Sequence, residues 1–127
     1  MFRNSKAFSG FSVNNLVQAK EFYTAVLGLD VSEDEMGLQL NIADSTPLFI
    51  YQKDDHTPAS FTVLNFPVDD IDAAVEELTQ KGVVFERYAM PGAQDEKGIM
   101  RGKTAGQGPD IAWFKDPSGN IFSVLNN

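Results

Sequence analysis

The sequence contains no cysteine and a single histidine, His56. The first absence removes disulfides, thiolate nucleophiles and every metal site built on sulfur. The second removes any cluster of imidazole ligands. Basic residues are also scarce, ten Lys and Arg against eighteen Asp and Glu, for a formal net charge of -8. Without clustered cations there is no electrostatic grip on a phosphate backbone, so nucleic acid is not an expected partner. A neutral or cationic small ligand is easier to accommodate. No apolar run reaches the length of a signal peptide or a membrane span, so a cytoplasmic location without a membrane partner is expected. Tryptophan occurs once, at Trp113, while phenylalanine supplies ten of the fourteen aromatic residues.

At 127 residues, 43% hydrophobic and 22% charged, the chain suits one domain with a real core and is too short for two ordinary independent ones. Any subdivision is expected as internal repetition. Residues 8–13 alternate loosely between apolar and small side chains, which suits a strand. Asn14 and Asn15 then supply helix-starting residue types, and Leu16, Ala19, Phe22, Tyr23 and Val26 follow helical spacing up to a stop at Gly28. Three short strands are expected at 29–35, 37–42 and 47–52, with Gly37 and Ala43-Asp44-Ser45 as breakers. The first half reads βαβββ. The polar stretch Lys53-Asp54-Asp55-His56-Thr57-Pro58 then leads to a further strand at 61–68.

From there the pattern restarts. Phe66-Pro67-Val68-Asp69-Asp70-Ile71 matches Phe11-Ser12-Val13-Asn14-Asn15-Leu16 at an offset of 55, and Ala74 matches Ala19. Gly82 matches Gly28 at an offset of 54, so the second helix is one residue shorter. That helix carries Ile71, Ala74, Val75 and Leu78 on one face and Asp72, Glu76, Glu77 and Lys81 elsewhere, the pattern of a cover for a sheet. Strands are expected at 83–88, 98–101, 111–115 and 121–125. The acidic pair Asp69-Asp70 reads as a helix cap, since carboxylates there accept from free N–H groups and favour the helix dipole. Within Asp116-Pro117-Ser118-Gly119-Asn120 the local signal is a tight turn between two strands.

Paired βαβββ modules, the run Val13-Asn14-Asn15-Leu16 with Ala19-Lys20-Glu21-Phe22-Tyr23 and Leu27-Gly28-Leu29, and the ending Phe114-Lys115-Asp116-Pro117-Ser118-Gly119-Asn120 together resemble the vicinal oxygen chelate superfamily of glyoxalases, bleomycin-resistance proteins and extradiol dioxygenases. The resemblance spans nearly the whole chain. It implies an α+β fold in which two tandem βαβββ modules, at about 6–53 and 60–127 with a linker at about 54–59, form a curved mixed sheet around a central cavity. It also implies a homodimer.

Alternation along the strands assigns faces. Phe11, Val13, Leu64, Phe66, Val68, Phe114, Phe122 and Val124 are expected toward the helices. Phe8, Gly10, Ser12, Val63, Asn65, Ile111, Trp113, Ile121, Ser123 and Leu125 are expected toward the cavity, with Phe49 and Tyr51 the inward candidates on their strand. Metal-binding members of the family place one ligand on the first strand of each module and one carboxylate late in each. By motif these positions fall at Phe8, Val63 and Ser123, and at either Phe49 or Tyr51. Hydrocarbon side chains offer a divalent metal nothing, so no metal and no cofactor is expected, and the family's metal-dependent activities are not carried over.

The expected ligand-binding set is Phe8, Ser12, Phe49, Tyr51, Val63, Asn65, Arg101, Trp113, Ile121 and Ser123, an aromatic wall with a few polar contacts. Trp113 has a plainer reading as core or interface filler. Arg101, with Asp95-Glu96-Lys97, lies in the long stretch 88–110, which reads equally as a lid over the cavity mouth or as disorder; Arg101 would hold an anion there and the acidic pair a cation. His56, among acidic residues in the linker, is expected as a solvated loop residue. No nucleophile–base pair stands out and no catalytic residue is assigned. The function expected is metal-independent binding of a small molecule. The alternatives are a lyase, isomerase or dioxygenase with an atypical site using Tyr51, Glu96 or Asp110, and a non-catalytic interaction module.

Overall fold

The two polar pairs ahead of the helices act as caps. The Asn15 side chain accepts from the Gln18 N–H and opens α1, Leu16–Glu21, while the Asp70 side chain accepts from the Ala73 N–H and opens α2, Ile71–Gln80. The computed structural model describes residues 1–88 and 94–126, and the chain divides into two units, Met1–Pro58 and Ala59–Asn127.

In the first unit, β1 (Gly10–Val13) is followed by α1 and then by β2 (Asp30–Glu33), β3 (Leu38–Asn41) and β4 (Leu48–Gln52). The sheet order is β1-β4-β3-β2, with β1 parallel to β4 and the other pairs antiparallel. α1 continues as a π-helical turn over Phe22–Val26 before Gly28, whose positive φ of 68° ends it. A π turn absorbs one extra residue into a helix, and one extra residue is what the narrowing repeat offset requires. The β2–β3 turn depends on Gly37. Its φ is 151°, and a Cβ there would stand 2.2 Å from the Ile50 carbonyl oxygen. The core is Val13, Ala19, Tyr23, Leu38, Leu40 and Ile50, all essentially without solvent contact.

The second unit repeats this plan. β5 (Thr62–Pro67) and α2 precede β6 (Met100–Arg101), α3 (Gly102–Ala105), β7 (Asp110–Lys115) and β8 (Ile121–Asn126), in the sheet order β5-β8-β7-β6. Again the first and last strands are parallel. Val75, Phe85, Ile99, Ala112, Phe114, Phe122 and Val124 are buried. Burying each large side chain of this kind contributes roughly 1.5–3 kcal/mol.

The strand expected at 83–88 is a correction. Val83 and Phe85 are buried and Val84 is exposed, as in an extended chain, but no strand is assigned there. Toward β7 the segment makes a hydrogen bond from the Glu86 N–H to the Trp113 carbonyl. The Gln94 side chain takes groups that a ladder would have used, accepting from the Tyr88 N–H and donating to the carbonyls of Glu86 and Gly98. The strand expected at 98–101 is likewise cut to two residues, because the Asp95 carboxylate accepts from the Lys97 and Ile99 N–H groups and folds the chain into a turn. Of the stretch 88–110, residues 89–93 lie outside the described residues.

Candidate functional site

Each sheet has one face toward its helix and one without a helix of its own unit, and register decides which residues share the second. In the first unit Gly10 stands beside Phe49 and Ser12 beside Tyr51, with Gln39 on the other side of Phe49. Phe49 and Tyr51 stack, centroids 5.6 Å apart and planes within 17°. A half-open groove of about 400 Å³ runs along this face, lined by Phe8, Asp34, Met36, Gln39, Pro47 and Phe49 among others. Ser12 is also engaged by His56, whose Nδ1 lies 2.6 Å from the Ser12 Oγ. That corrects the expectation of a solvated histidine: His56 is half-buried and its ring ties the 53–58 segment to β1.

In the second unit Asn65, Ser123 and Trp113 stand in one row across β5, β8 and β7. The fully buried Ser123 hydroxyl donates to Asn65 Oδ1 at 2.5 Å, which leaves the exposed Asn65 amide as the polar group of that row. A pocket of about 240 Å³ opens beside it, lined by Ser60, Phe61, Thr62, Tyr88, Trp113 and Ile121. Four of these, Ser60, Phe61, Thr62 and Tyr88, lie outside the set expected from the sequence. Thr62 takes the place expected for Val63 because the β5–β8 register shifts between Thr62 and Leu64, so that Thr62 stands opposite Ile121 and Val63 has no partner in β8. An extra residue in one strand of a pair moves every earlier side chain by one place.

Tyr88 meets Trp113 edge-on, with ring centroids 5.5 Å apart. Its hydroxyl is buried, and among the described residues it is the one buried side-chain polar atom left without a hydrogen-bond partner. Burial, and next the Glu86 carboxylate, push its pKa above the ordinary tyrosine value, so the group is a neutral O–H donor.

Arg101 is not brought to this face. It pairs in register with Asp110, on the same side of the sheet as the buried Ala112 and Phe114, where α2 lies. Its guanidinium holds Asp72 of α2 in a two-pronged contact at 2.7 and 3.0 Å and donates from Nε to Asp95 at 3.0 Å. Lys97 also donates to Asp72, at 3.1 Å. Three of the charged groups expected over a cavity mouth, Asp95, Lys97 and Arg101, are thus consumed in fastening the 95–101 turn to α2. Of the acid–base alternatives, Asp110 accepts from the Lys103 N–H on that same side and Glu96 is exposed. A larger hollow, about 550 Å³, lies against α2 between Val75, Thr79, Val83 and Phe85. Its cations are likewise engaged, Arg87 by the carbonyls of Asp95 and Glu96 and Lys97 by Asp72.

The Asp72 cluster makes a pH prediction. Hydrogen bonds from Arg101, and next from Lys97, hold the Asp72 carboxyl well below its ordinary value of 3.8. A depressed folded-state pKa stabilises the fold above the unfolded value and loses that contribution as pH falls toward the folded one. Thermal unfolding between pH 5 and about pH 2 is therefore expected to show a loss of Tm in the wild type that is smaller in Asp72→Asn. Because the Asp72 side chain is 43% exposed, the difference should shrink in high salt. Equal acid sensitivity in both proteins would contradict the assignment.

The same register tests whether the metal of the resembling family would fit. Gly10 beside Phe49 corresponds through the repeat to Asn65 beside Ser123, so Phe49, not Tyr51, is the counterpart of Ser123. The four positions are then Phe8, Phe49, Ser123 and the β5 position expected for Val63, which the bulge gives to Thr62. Phe8, Phe49 and Val63 are hydrocarbon, Thr62 offers only a neutral hydroxyl, and Ser123 donates its hydroxyl proton to Asn65. This donor set does not fit a divalent metal. Among the described residues no group of three or more His, Cys, Asp or Glu is placed to hold one.

The family model for the Glyoxalase/Bleomycin resistance protein/Dioxygenase superfamily matches residues 9–124. Among solved structures the chain is similar to TnmS3, an antibiotic binding protein from Streptomyces sp. CB03234, at 25% identity and a TM-score of 0.63 over 94% of each chain. It is similar in fold to a glyoxalase family protein from Enterococcus faecalis, at 21% identity and a TM-score of 0.68 over 98% of this chain and 99% of the other. It is also similar in fold to the fosfomycin resistance protein FosX from Listeria monocytogenes, at 13% identity and a TM-score of 0.68 over 95% and 91%. No curated protein matches the chain.

Proposed function

This chain belongs to the Glyoxalase/Bleomycin resistance protein/Dioxygenase superfamily, and from that premise we propose that it binds a small, largely apolar molecule, without a metal ion and without turning it over. The observation that carries the reading is the pocket at Trp113, where aromatic and aliphatic walls surround a few polar groups in the manner of small-molecule sites. The groove of Phe8 and Phe49 on the open face of the other sheet has the same character. The donor-poor set at Phe8, Phe49, Thr62 and Ser123 supports metal independence. The similarity to an antibiotic binding protein supports binding as the role. Phe8, Phe49, Tyr51, Asn65, Trp113 and Ile121 are the proposed contacts. Ser12 and Ser123 support them from behind through His56 and Asn65.

The reading extends to a homodimer in the cytoplasm, which light scattering would register as twice the 14.0 kDa chain mass. Among the described residues no helix is long and apolar enough to cross a membrane.

Elemental analysis of the dialysed protein, followed by a ligand screen, tests the proposal. Divalent metal is expected below about a tenth of an equivalent per chain, since no histidine or carboxylate occupies the four positions. Hits are expected to change the fluorescence of Trp113, the sole tryptophan, and to bind Trp113→Ala at least about tenfold more weakly, as for an aromatic anchor in a pocket. One equivalent of chelator-removable metal would overturn metal independence, and hits that ignore Trp113→Ala would overturn the site.

A further inference from the structure

We infer that the groove on the open face of the first sheet selects an organic cation with a flat apolar body, its charge met by Asp34 and its body by Phe8 and Phe49. The inference rests on the small-molecule binding proposed above and names the ligand class of this groove. Charge, position and surface lead to it.

Asp34 is the one charged residue that lines the groove among the described residues, and it is exposed. No cation of the unit answers it. Lys20 holds Glu33 at 2.9 Å and Lys53 holds Asp55 at 2.7 Å, and among the described residues neither Arg3 nor Lys6 pairs with Asp34. Residues 1–58 carry eight Asp and Glu against four Lys and Arg, so the field around the groove attracts cations and repels anions.

The carboxylate is held in place. Its Oδ1 accepts from the Met36 N–H at 2.8 Å and the Gly37 N–H at 3.2 Å, and the Asp34 N–H donates to the Gly37 carbonyl at 3.0 Å, closing the β2–β3 turn. Gly37 also joins that carboxylate to the aromatic wall, because a Cβ built on it would stand 3.3 Å from Cε1 of Phe49. Oδ2 makes no hydrogen bond among the described residues. The accessible negative charge thus stands at the edge of an apolar surface. Phe8 is 66% and Met36 73% exposed, and the Phe49 ring is backed by Tyr51 in a nearly parallel stack. Ring faces attract a cation through their quadrupole, and a flat body covers more of them than a compact one. A neutral molecule would gain the apolar contact alone, and an anion would meet Asp34 as a like charge.

Three bicyclic probes of similar size test this on the full chain, at a pH where quinoline nitrogens are unprotonated. They are N-methylquinolinium, a fixed cation; 4-methylquinoline, its neutral counterpart; and quinoline-4-carboxylate, an anion. Binding is read from the side-chain methyl resonance of Met36, which lines the groove, in methionine-labelled protein. The indole resonance of Trp113, followed in the same samples, registers binding at the second unit's pocket separately. The cation is expected to bind about fivefold more tightly than the neutral probe, the increment of one exposed ion pair and one cation–ring contact. The anion should bind most weakly, and high salt should narrow the difference. Asp34→Asn keeps an oxygen for the Met36 and Gly37 N–H groups. It should cut the cation's advantage to about twofold, the cation–ring share, and leave the neutral probe's affinity unchanged. Glu35→Gln removes the same charge from an exposed neighbour that does not line the groove, and should keep the advantage. No cation preference in the wild type, a preference that survives Asp34→Asn, or an equal loss in Glu35→Gln would overturn Asp34 as the selecting group. If no probe moves the Met36 resonance, the groove fails as a site and this inference with it, while the Trp113 pocket is judged by its own resonance.

Discussion

Phe114→Ala is expected to lower the unfolding free energy of the second unit by about 3–5 kcal/mol, the range for removing a buried aromatic ring. Phe114 has no solvent exposure. It sits at the middle of a run of edge-to-face rings, 5.7 Å from Phe85 and 5.7 Å from Phe122, which in turn meets Phe66 at 6.2 Å. Truncation removes the ring's burial, two aromatic contacts and the filler between β7, β8 and the 83–88 segment. The surrounding strands are hydrogen-bonded on both sides and collapse only in part. Because small domains hold only about 5–15 kcal/mol in total, the variant should unfold at far lower urea. The fluorescence of neighbouring Trp113 would follow this transition directly. Phe114→Leu should recover most of the loss, and a deficit below about 1.5 kcal/mol for the alanine variant would show that the rings are loosely packed.

Asp116→Ala is expected to cost about 2–4 kcal/mol, although it removes a polar side chain from a turn. The Asp116 carboxylate is 4% exposed and accepts from the Ser118 N–H at 2.9 Å, the Asn120 N–H at 2.9 Å and the Asn120 side-chain amide at 3.0 Å. Ser118 and Asn120 are themselves buried. Alanine would leave three donors out of water without that acceptor. Each such group costs about 1–3 kcal/mol, and neighbouring losses do not add fully. Asp116→Asn is the instructive control. It keeps one oxygen for the two backbone donors but turns an amide N–H toward Asn120, so about half the loss should return. Urea denaturation of the three proteins checks this; equal stability of all three would mean that water takes over the turn.

The Asp116 turn also shows how much of the molecule its sequence discloses. As a local pattern it signals only a hairpin, and a hairpin is what it makes between β7 and β8. That its carboxylate is interior follows from packing that no five-residue window contains. The same division runs through the site. The face shared by Asn65, Trp113 and Ser123 was legible because alternation is a property of each strand. The replacement of Val63 by Thr62 was not, since the β5 bulge is defined only against β8. Arg101 was misassigned for a related reason. Its place near glycine-rich stretches suggested a free cation, whereas its partner Asp72 lies 29 residues away on α2. An acidic first turn of a helix offered one available clue, since such a carboxylate attracts cations. The Ser12–His56 contact spans 44 residues and left no signal of that kind.

What the sequence alone determined is what repeats or alternates: two βαβββ modules, their helix caps, the one extra residue of the first helix, the sheet faces outside the β5 bulge, and the absence of metal-ligating side chains at the motif positions. These follow from interactions within a few residues, or from the chemistry of the side chain itself. Only the tertiary structure decided which polar groups find partners. Hydrogen bonds reach about 3 Å and demand direction, so whether the Tyr88 hydroxyl is met, or Arg101 is engaged, depends on how distant segments are brought together. The fold is written in periodicity, and the candidate site is finished by long-range hydrogen bonds.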